Sequence, residues 1–218
     1  MVAIPSKQEL DNALIARHGA ELHTRLSKAS VAICGLGGLG SNVAIALARA
    51  GVGHLHLLDF DRVDISNLNR QQYFVRQLGQ FKTEALRDNL KEIAPYMKVT
   101  TSTVRITEEN VPMLLTEADV ICEAFDKSEA KAMLVNAVLE HFPDKWLVSG
   151  NGMAGKESAN LIRTRRIGRR FLLCGDGVSD IETSGSLFSA RVMVCAAHEA
   201  LAVIRILAGD FDAPSVKE

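Results

Sequence analysis

Apolar positions along this chain of 218 residues follow two alternating rhythms. Short apolar runs alternate with segments whose apolar residues lie three or four positions apart, the pattern of strands alternating with amphipathic helices. Leu10, Leu14, Ile15, Leu22 and Leu26 keep helical spacing behind a Ser6–Glu9 capping box, which predicts a helical N-terminal segment over residues 1–29, interrupted at Gly19. Val31–Cys34 predicts a strand. Leu39, Val43, Leu47 and Ala50 predict a helix that stops at Gly51, and "HLHLLDF" (54–60) a second strand. Further on, the pattern predicts a helix over Phe81–Ala94 ahead of Pro95, a strand in "KVTTSTV" (98–104), a helix over Thr107–Leu115 and a strand in "DVICEAF" (119–125). A helix over Ser128–Glu140 and a strand in "WLVSG" (146–150) complete the alternation. Parallel strands need crossovers of this kind, so the order predicts an α/β fold with a doubly wound, mostly parallel sheet. Beyond residue 150 the rhythm changes. "SANLIRTRRIGRRFLLC" (158–174) predicts a hairpin turning near Ile167 and Gly168, and an apolar helix over Leu187–Leu207 closes the chain. Residues 1–218 are expected to form a single domain, with 150–218 supplying the hairpin and the closing helix.

Composition narrows the picture. A chain with 47% hydrophobic residues can bury a sizeable core. Lys plus Arg (25) and Asp plus Glu (26) nearly cancel, which gives no reason to expect nucleic acid or an anionic membrane as the main partner. No apolar run approaches the roughly 20 residues of a membrane span, and the first residues lack the order of a secretory signal, so a cytoplasmic protein is expected. Cys34, Cys122, Cys174 and Cys195 form no C-x-x-C pair, which argues against structural zinc and against a disulfide framework.

The candidate chemistry begins where the first strand ends. Gly35, Gly37 and Gly40 fit G-x-G-x-x-G between a strand and a helix, with Gly38 a further bare position. Such a turn brings backbone amides against a phosphate, so a Rossmann-like nucleotide site is expected. Asp59, at the end of the next strand, is placed to accept ribose hydroxyls. Asp61 follows as a further polar candidate or as a turn residue. These features suit NAD as well as ATP. The loop after them does not: Ser66, Asn67, Asn69, Arg70 and Gln71, followed by Lys82 at the start of the next helix, put two cations near the nucleotide. A triphosphate needs such donors far more than a dinucleotide's pyrophosphate does.

"GLGGLGSN" (35–42), "LLDFDRVDISNLNRQQ" (57–72), "GQFKTEALRDNL" (79–90) and "EAFD" (123–126) resemble the enzymes of the ThiF/MoeB type, relatives of the ubiquitin-activating enzymes. The resemblance covers about Ser30–Gly150, with a weaker likeness in the last helix, and within the family it is nearest to a compact subgroup linked to thiamine biosynthesis. It implies ATP-dependent adenylylation of the C-terminal glycine of a small ubiquitin-like sulfur carrier (ThiS-like), with ATP and Mg²⁺ as cofactors and a homodimer as the assembly. By the same resemblance Gly38 and its neighbours contact phosphate, Asp59 the ribose, Asn67, Arg70 and Lys82 the triphosphate, and Asp126 the magnesium ion. Related enzymes activate a modified adenosine in transfer RNA, and an NAD-binding oxidoreductase, a dinucleotide sensor or a nucleotide-binding scaffold shares the glycine turn and Asp59. The oxidoreductase reading leaves "NLNRQQ", Lys82 and Asp126 unexplained.

Family members also supply an arginine from the N-terminal segment of the partner subunit. Arg17 is the nearest candidate here, its alternative being a solvated cation at a helix end. Cys174, in "FLLCGDG", is the candidate sulfur-transfer thiol, its alternative an inert thiol at the end of an apolar strand. The paired zinc cysteines of many relatives are absent, so no zinc is expected. Five arginines in "RTRRIGRR" (163–170) are either a docking surface for an acidic carrier or a solvated hairpin. His54 and His56, on one face of a strand, are a metal pair or surface residues.

Overall fold

The computed structural model describes residues 4–211. Lys7–His18 form α1 and Ala20–Lys28 form α2, with Gly19 between them at φ +86°. The expected capping box is present: the Glu9 amide donates to Ser6 Oγ (3.3 Å), and Glu9 accepts from the Ser6 amide (2.7 Å). There follow β1 (Ser30–Cys34), α3 (Gly38–Ala50), β2 (His54–Leu58), α4 (Lys82–Ile93), β3 (Lys98–Ser102), α5 (Val111–Leu115), β4 (Val120–Glu123), α6 (Ser128–His141) and β5 (Trp146–Gly150). The last part holds β6 (Arg163–Gly168), β7 (Phe171–Gly175), α7 (Ile181–Ser184) and α8 (Ser189–Ala208).

The strands form one seven-stranded sheet in the order β3-β2-β1-β4-β5-β7-β6, parallel throughout except for β6, which runs antiparallel to β7 at the edge. One face packs against α2, α3, α4 and α8, through Leu26, Val43, Leu47, Leu86 and Val203. The other packs against α5 and α6 through Val111, Leu115, Leu134 and Val138. From β1 the chain runs outward to β2 and β3, then returns to lay β4 on the opposite side of β1. Strand order therefore reverses between β1 and β4, and a crevice opens there at the carboxyl ends of the strands, where open α/β sheets bind ligands.

Three expectations need correction. The helix expected over Thr107–Leu115 begins only at Val111, because Thr107 and Asn110 form a turn in which the Asn110 side chain accepts the Thr107 amide (2.9 Å), and Pro112, which has no N–H, sits in the first helical turn. The hairpin turns at Arg169 and Arg170, after a bulge between Arg166 and Gly168, and its expected first residues form a 3-10 turn at Ala159–Leu161. The closing helix starts at Ser189. Among the described residues no helix is long and apolar enough to cross a membrane.

Candidate nucleotide site

The crevice at the β1–β4 reversal holds a cavity of about 450 Å³. Its floor is the glycine turn. Gly35 follows β1 at φ +93°, a conformation that L side chains rarely adopt, and a Cβ there would come within 2.8 Å of the Ala124 carbonyl oxygen. α3 then starts with Gly37 as its N-cap, and neither a side-chain cap nor an acidic residue satisfies its first turn. The first amides are left facing the cavity, with the positive end of the helix behind them. Gly40 does not line the cavity; a Cβ on it would lie 1.9 Å from the Gly35 carbonyl oxygen, so its bareness lets α3 pack against the turn.

Asp59 is buried at the end of β2. Its carboxylate accepts the Leu36 amide (2.6 Å) and the Asp61 amide (2.8 Å), which ties the glycine turn to β2 and leaves further lone pairs for ligand hydroxyls. Asp61 lines the cavity and pairs with Lys82 (2.9 Å), whose side chain is nine-tenths buried. A half-exposed partner on a buried ammonium fixes the charge at the wall, with its remaining protons free to donate.

The loop between β2 and α4 supplies the opposite wall. Arg70 lays its aliphatic stem over Gly38, 3.4 Å from where a Cβ would sit, and its guanidinium donates to the Ser66 carbonyl (3.1 Å) and to Asn69 Oδ1 (2.8 Å). Asn69 in turn donates to the Leu187 carbonyl (3.1 Å). Ser66 and Asn69, expected as ligand contacts, do not line the cavity; they aim Arg70. Asn67 lines it while capping a short 3-10 turn with Asp64. Gln71 also lines it, buried, and its Oε1 has no hydrogen-bond partner, an acceptor that a ligand donor would satisfy. Tyr73 donates to the Leu36 carbonyl (2.8 Å) from the core, where burial pushes its phenol well above the usual range.

The residues after β4 close the far side, bringing exposed Asp126 and Lys127 to the cavity. Lys127 and Arg105 stand outside the motifs of the sequence, yet both line the cavity, Arg105 with its guanidinium 4.4 Å from the centre of the Phe60 ring. Their signal was only a charge in a loop of unknown course.

Two candidates lie elsewhere. Cys174, the candidate sulfur-transfer thiol, is near the end of β7 with no exposure, in keeping with its alternative as an inert strand-end thiol, and burial, with the nearby Glu199 carboxylate, pushes its thiol up to about 12. A thiol held protonated in the core is a poor nucleophile. Arg17 is exposed in the last turn of α1, away from the cavity, so any role at a nucleotide would fall on a second copy of the chain. Cys34, Cys122 and Cys195 are buried core residues. His54 bonds to Ser30 and Thr100, and His56 to Ser102; burial lowers both rings from their usual range, and neighbouring strands account for the pair.

The ThiF family model matches residues 10–217. Among curated proteins, the adenylyltransferase and sulfurtransferase MOCS3 of Culex quinquefasciatus is 30% identical over 217 residues, spanning 93% of this chain and 49% of that protein. The sulfur carrier protein adenylyltransferase of Thermus thermophilus is 33% identical over 139 residues, 62% of this chain and 51% of that one. The chain thus spans about half the length of the curated relatives it matches. Among solved structures, Escherichia coli tRNA N6-threonylcarbamoyladenosine dehydratase in complex with AMP superposes with a TM-score of 0.84 at 18% identity, covering 97% of this chain and all of that one. The same protein with ATP gives 0.83. The fold is shared.

Proposed function

The chain belongs to the ThiF family, and from that premise we propose that its cavity binds ATP and transfers the adenylyl group to a carboxylate at the C-terminal glycine of a ubiquitin-like sulfur carrier. One observation carries the reading: uncapped amides of α3, Arg70 and Lys82 converge on one cavity of about 450 Å³, beside the buried carboxylate of Asp59. Two cations and a helix end are more than a dinucleotide's pyrophosphate requires. The relatives named as sulfur-carrier adenylyltransferases and the ATP complex of the same fold support it.

The residues suit the reaction without a general base. A terminal carboxylate is already ionised near neutral pH, so rate comes from holding it in line with the α-phosphorus and from offsetting the charge that repels it. Arg70, aimed by Ser66 and Asn69, and Lys82, fixed by Asp61, would hold the phosphates as pyrophosphate departs. Asp126 fits a magnesium site: it is an exposed carboxylate on the cavity wall, and Mg²⁺ commonly takes one or two carboxylates and completes its shell with water and substrate phosphates. When bound, the ion would offset charge on the phosphate oxygens. The natural carrier is proposed to be ThiS-like and to serve thiamine thiazole biosynthesis, a step that rests on sequence resemblance; a homodimer is proposed on the same ground.

A second reading, activation of a modified adenosine in transfer RNA, is favoured by the exposed arginines of β6 and its turn, Arg163, Arg165, Arg166 and Arg169. Mass spectrometry of purified carrier incubated with the protein and Mg·ATP separates the two. Addition of one adenylyl group to the carrier is the expected result; unmodified carriers, with ATP consumed only when transfer RNA is present, would overturn it in favour of the RNA.

A further inference from the structure

Behind the cavity wall the structure buries a cluster of charges that none of the chemistry above uses. Glu123, the last residue of β4, has no exposure. Its Oε1 accepts the Phe125 amide (2.7 Å) and Lys131 Nζ (3.1 Å); its Oε2 accepts Lys131 Nζ (2.8 Å) and the Ser149 hydroxyl. A buried carboxylate is tolerated only when paired and hydrogen-bonded, and here donors from β5, α6 and the loop after β4 fix it in one geometry. The amide it holds belongs to the loop that carries Asp126 and Lys127 to the cavity. The same loop is pressed from the other side by the glycine turn, where a Cβ on Gly35 would meet the Phe125 ring at 2.9 Å.

We propose that Glu123 is a positioning residue: by gripping the Phe125 amide, with Lys131 as its counter-ion, it holds Asp126 and Lys127 at the phosphates. The inference rests on the adenylylation reading and adds to it a residue that never touches the nucleotide.

Glu199, in the middle of α8, makes the arrangement sensitive to pH. It is fully buried, with Oε2 unpartnered and Oε1 against Gly150. It faces Lys131 on α6, Glu123 and Cys122 on β4, Cys174 on β7 and Cys195 on its own helix. Burial raises its carboxyl most, Lys131 opposes and Glu123 adds, for a value of about 8. Near neutral pH it therefore keeps its proton, and Lys131 serves Glu123. Above that range two carboxylates compete for one ammonium, and the grip on the loop weakens.

Glu123→Gln keeps the shape and removes the charge, and the Lys131 side chain, partly exposed on α6, keeps access to water. Hydrogen–deuterium exchange of the Phe125 amide, without nucleotide, should rise at least about ten-fold in this variant, the melting temperature staying close to wild type. Its kcat in Mg·ATP–pyrophosphate exchange should fall at least about ten-fold while KM for ATP changes by less than about three-fold. Glu199→Gln should keep the wild-type rate at pH 7 and lose the wild-type decline above pH 8. Wild-type protection of Phe125 in Glu123→Gln, wild-type kcat in that variant, or an unshifted alkaline decline in Glu199→Gln would each overturn the proposal. A wild-type protein that protects Phe125 as described but never turns over ATP with any carrier would instead defeat the adenylylation reading, and the exchange measurement would still judge the grip.

Discussion

Arg70 and Lys82 carry the reading at the scale of single residues, and their surroundings make them differ. Arg70 is aimed by a carbonyl and an amide side chain at the loop surface, whereas Lys82 is buried against Asp61. Truncating a preorganised donor to developing charge costs about 3 kcal/mol of barrier, or roughly 100-fold in rate. Arg70→Ala and Asp126→Ala are expected to lower carrier-dependent ATP–pyrophosphate exchange by that factor or more with the melting temperature unchanged; exchange within two-fold of wild type in either variant would remove that residue from the mechanism. Asn69→Ala is expected to reproduce part of the Arg70 loss, about ten-fold, because it frees the guanidinium without removing it. The identities of these cations were legible in the sequence, since the motif and the charges lie within one stretch. The supporting roles of Ser66 and Asn69 were not, because which polar side chain of a loop meets the ligand and which holds its neighbour depends on the path of the backbone. Of the two readings of Cys174, the inert thiol at the end of an apolar strand is the one that fits, since the thiol belongs to β7 on the strand's buried side; that side depends on the sheet's packing, which the local sequence does not fix.

At the scale of elements the glycine turn divides the work between a glycine of the motif, Gly40, and the further bare position beside it, Gly38. A Cβ on Gly40 would strike the Gly35 carbonyl oxygen at 1.9 Å, backbone against backbone, so Gly40→Ala forces α3 away from β1. A Cβ on Gly38 meets only side-chain atoms, Val192 Cγ1 at 3.0 Å and the Arg70 stem at 3.4 Å. Gly40→Ala is therefore expected to destabilise the protein by about 2 kcal/mol or more, read as a lowered denaturation midpoint. Gly38→Ala is expected to keep most of the stability and lose exchange activity through a displaced Arg70; equal stability losses in the two variants would contradict this division. The strands and long helices were readable because their apolar periods are long and their caps explicit. The start of α5 was not: Thr107–Asn110 has helical composition, but the Asn110 side chain takes the Thr107 amide and stops the helix from extending back.

At the scale of the whole molecule, the sheet order and the charge buried beneath it set fold and stability together. Alternating elements predicted a parallel sheet, and the reversal between β1 and β4 follows from it, but no local pattern announced that Glu199 in an apolar helix would meet Glu123 and Lys131. Glu199 binds its proton up to about pH 8 when folded, against an ordinary value of 4.5. Between those values the unfolded chain has released the proton and the folded chain has not, so stability falls as pH rises through that window. Glu199→Gln is expected to raise the melting temperature by a margin that widens from pH 5 to pH 8; a constant or shrinking margin would mean that Glu199 is ionised in the fold. The central claim concerns the cavity itself, and a crystal structure with a non-hydrolysable Mg·ATP analogue tests it most directly. The account predicts the triphosphate between the first amides of α3 and the side chains of Arg70 and Lys82, with the ribose at Asp59; a nucleotide bound with both cations turned to solvent, or one seated outside this cavity, would contradict it.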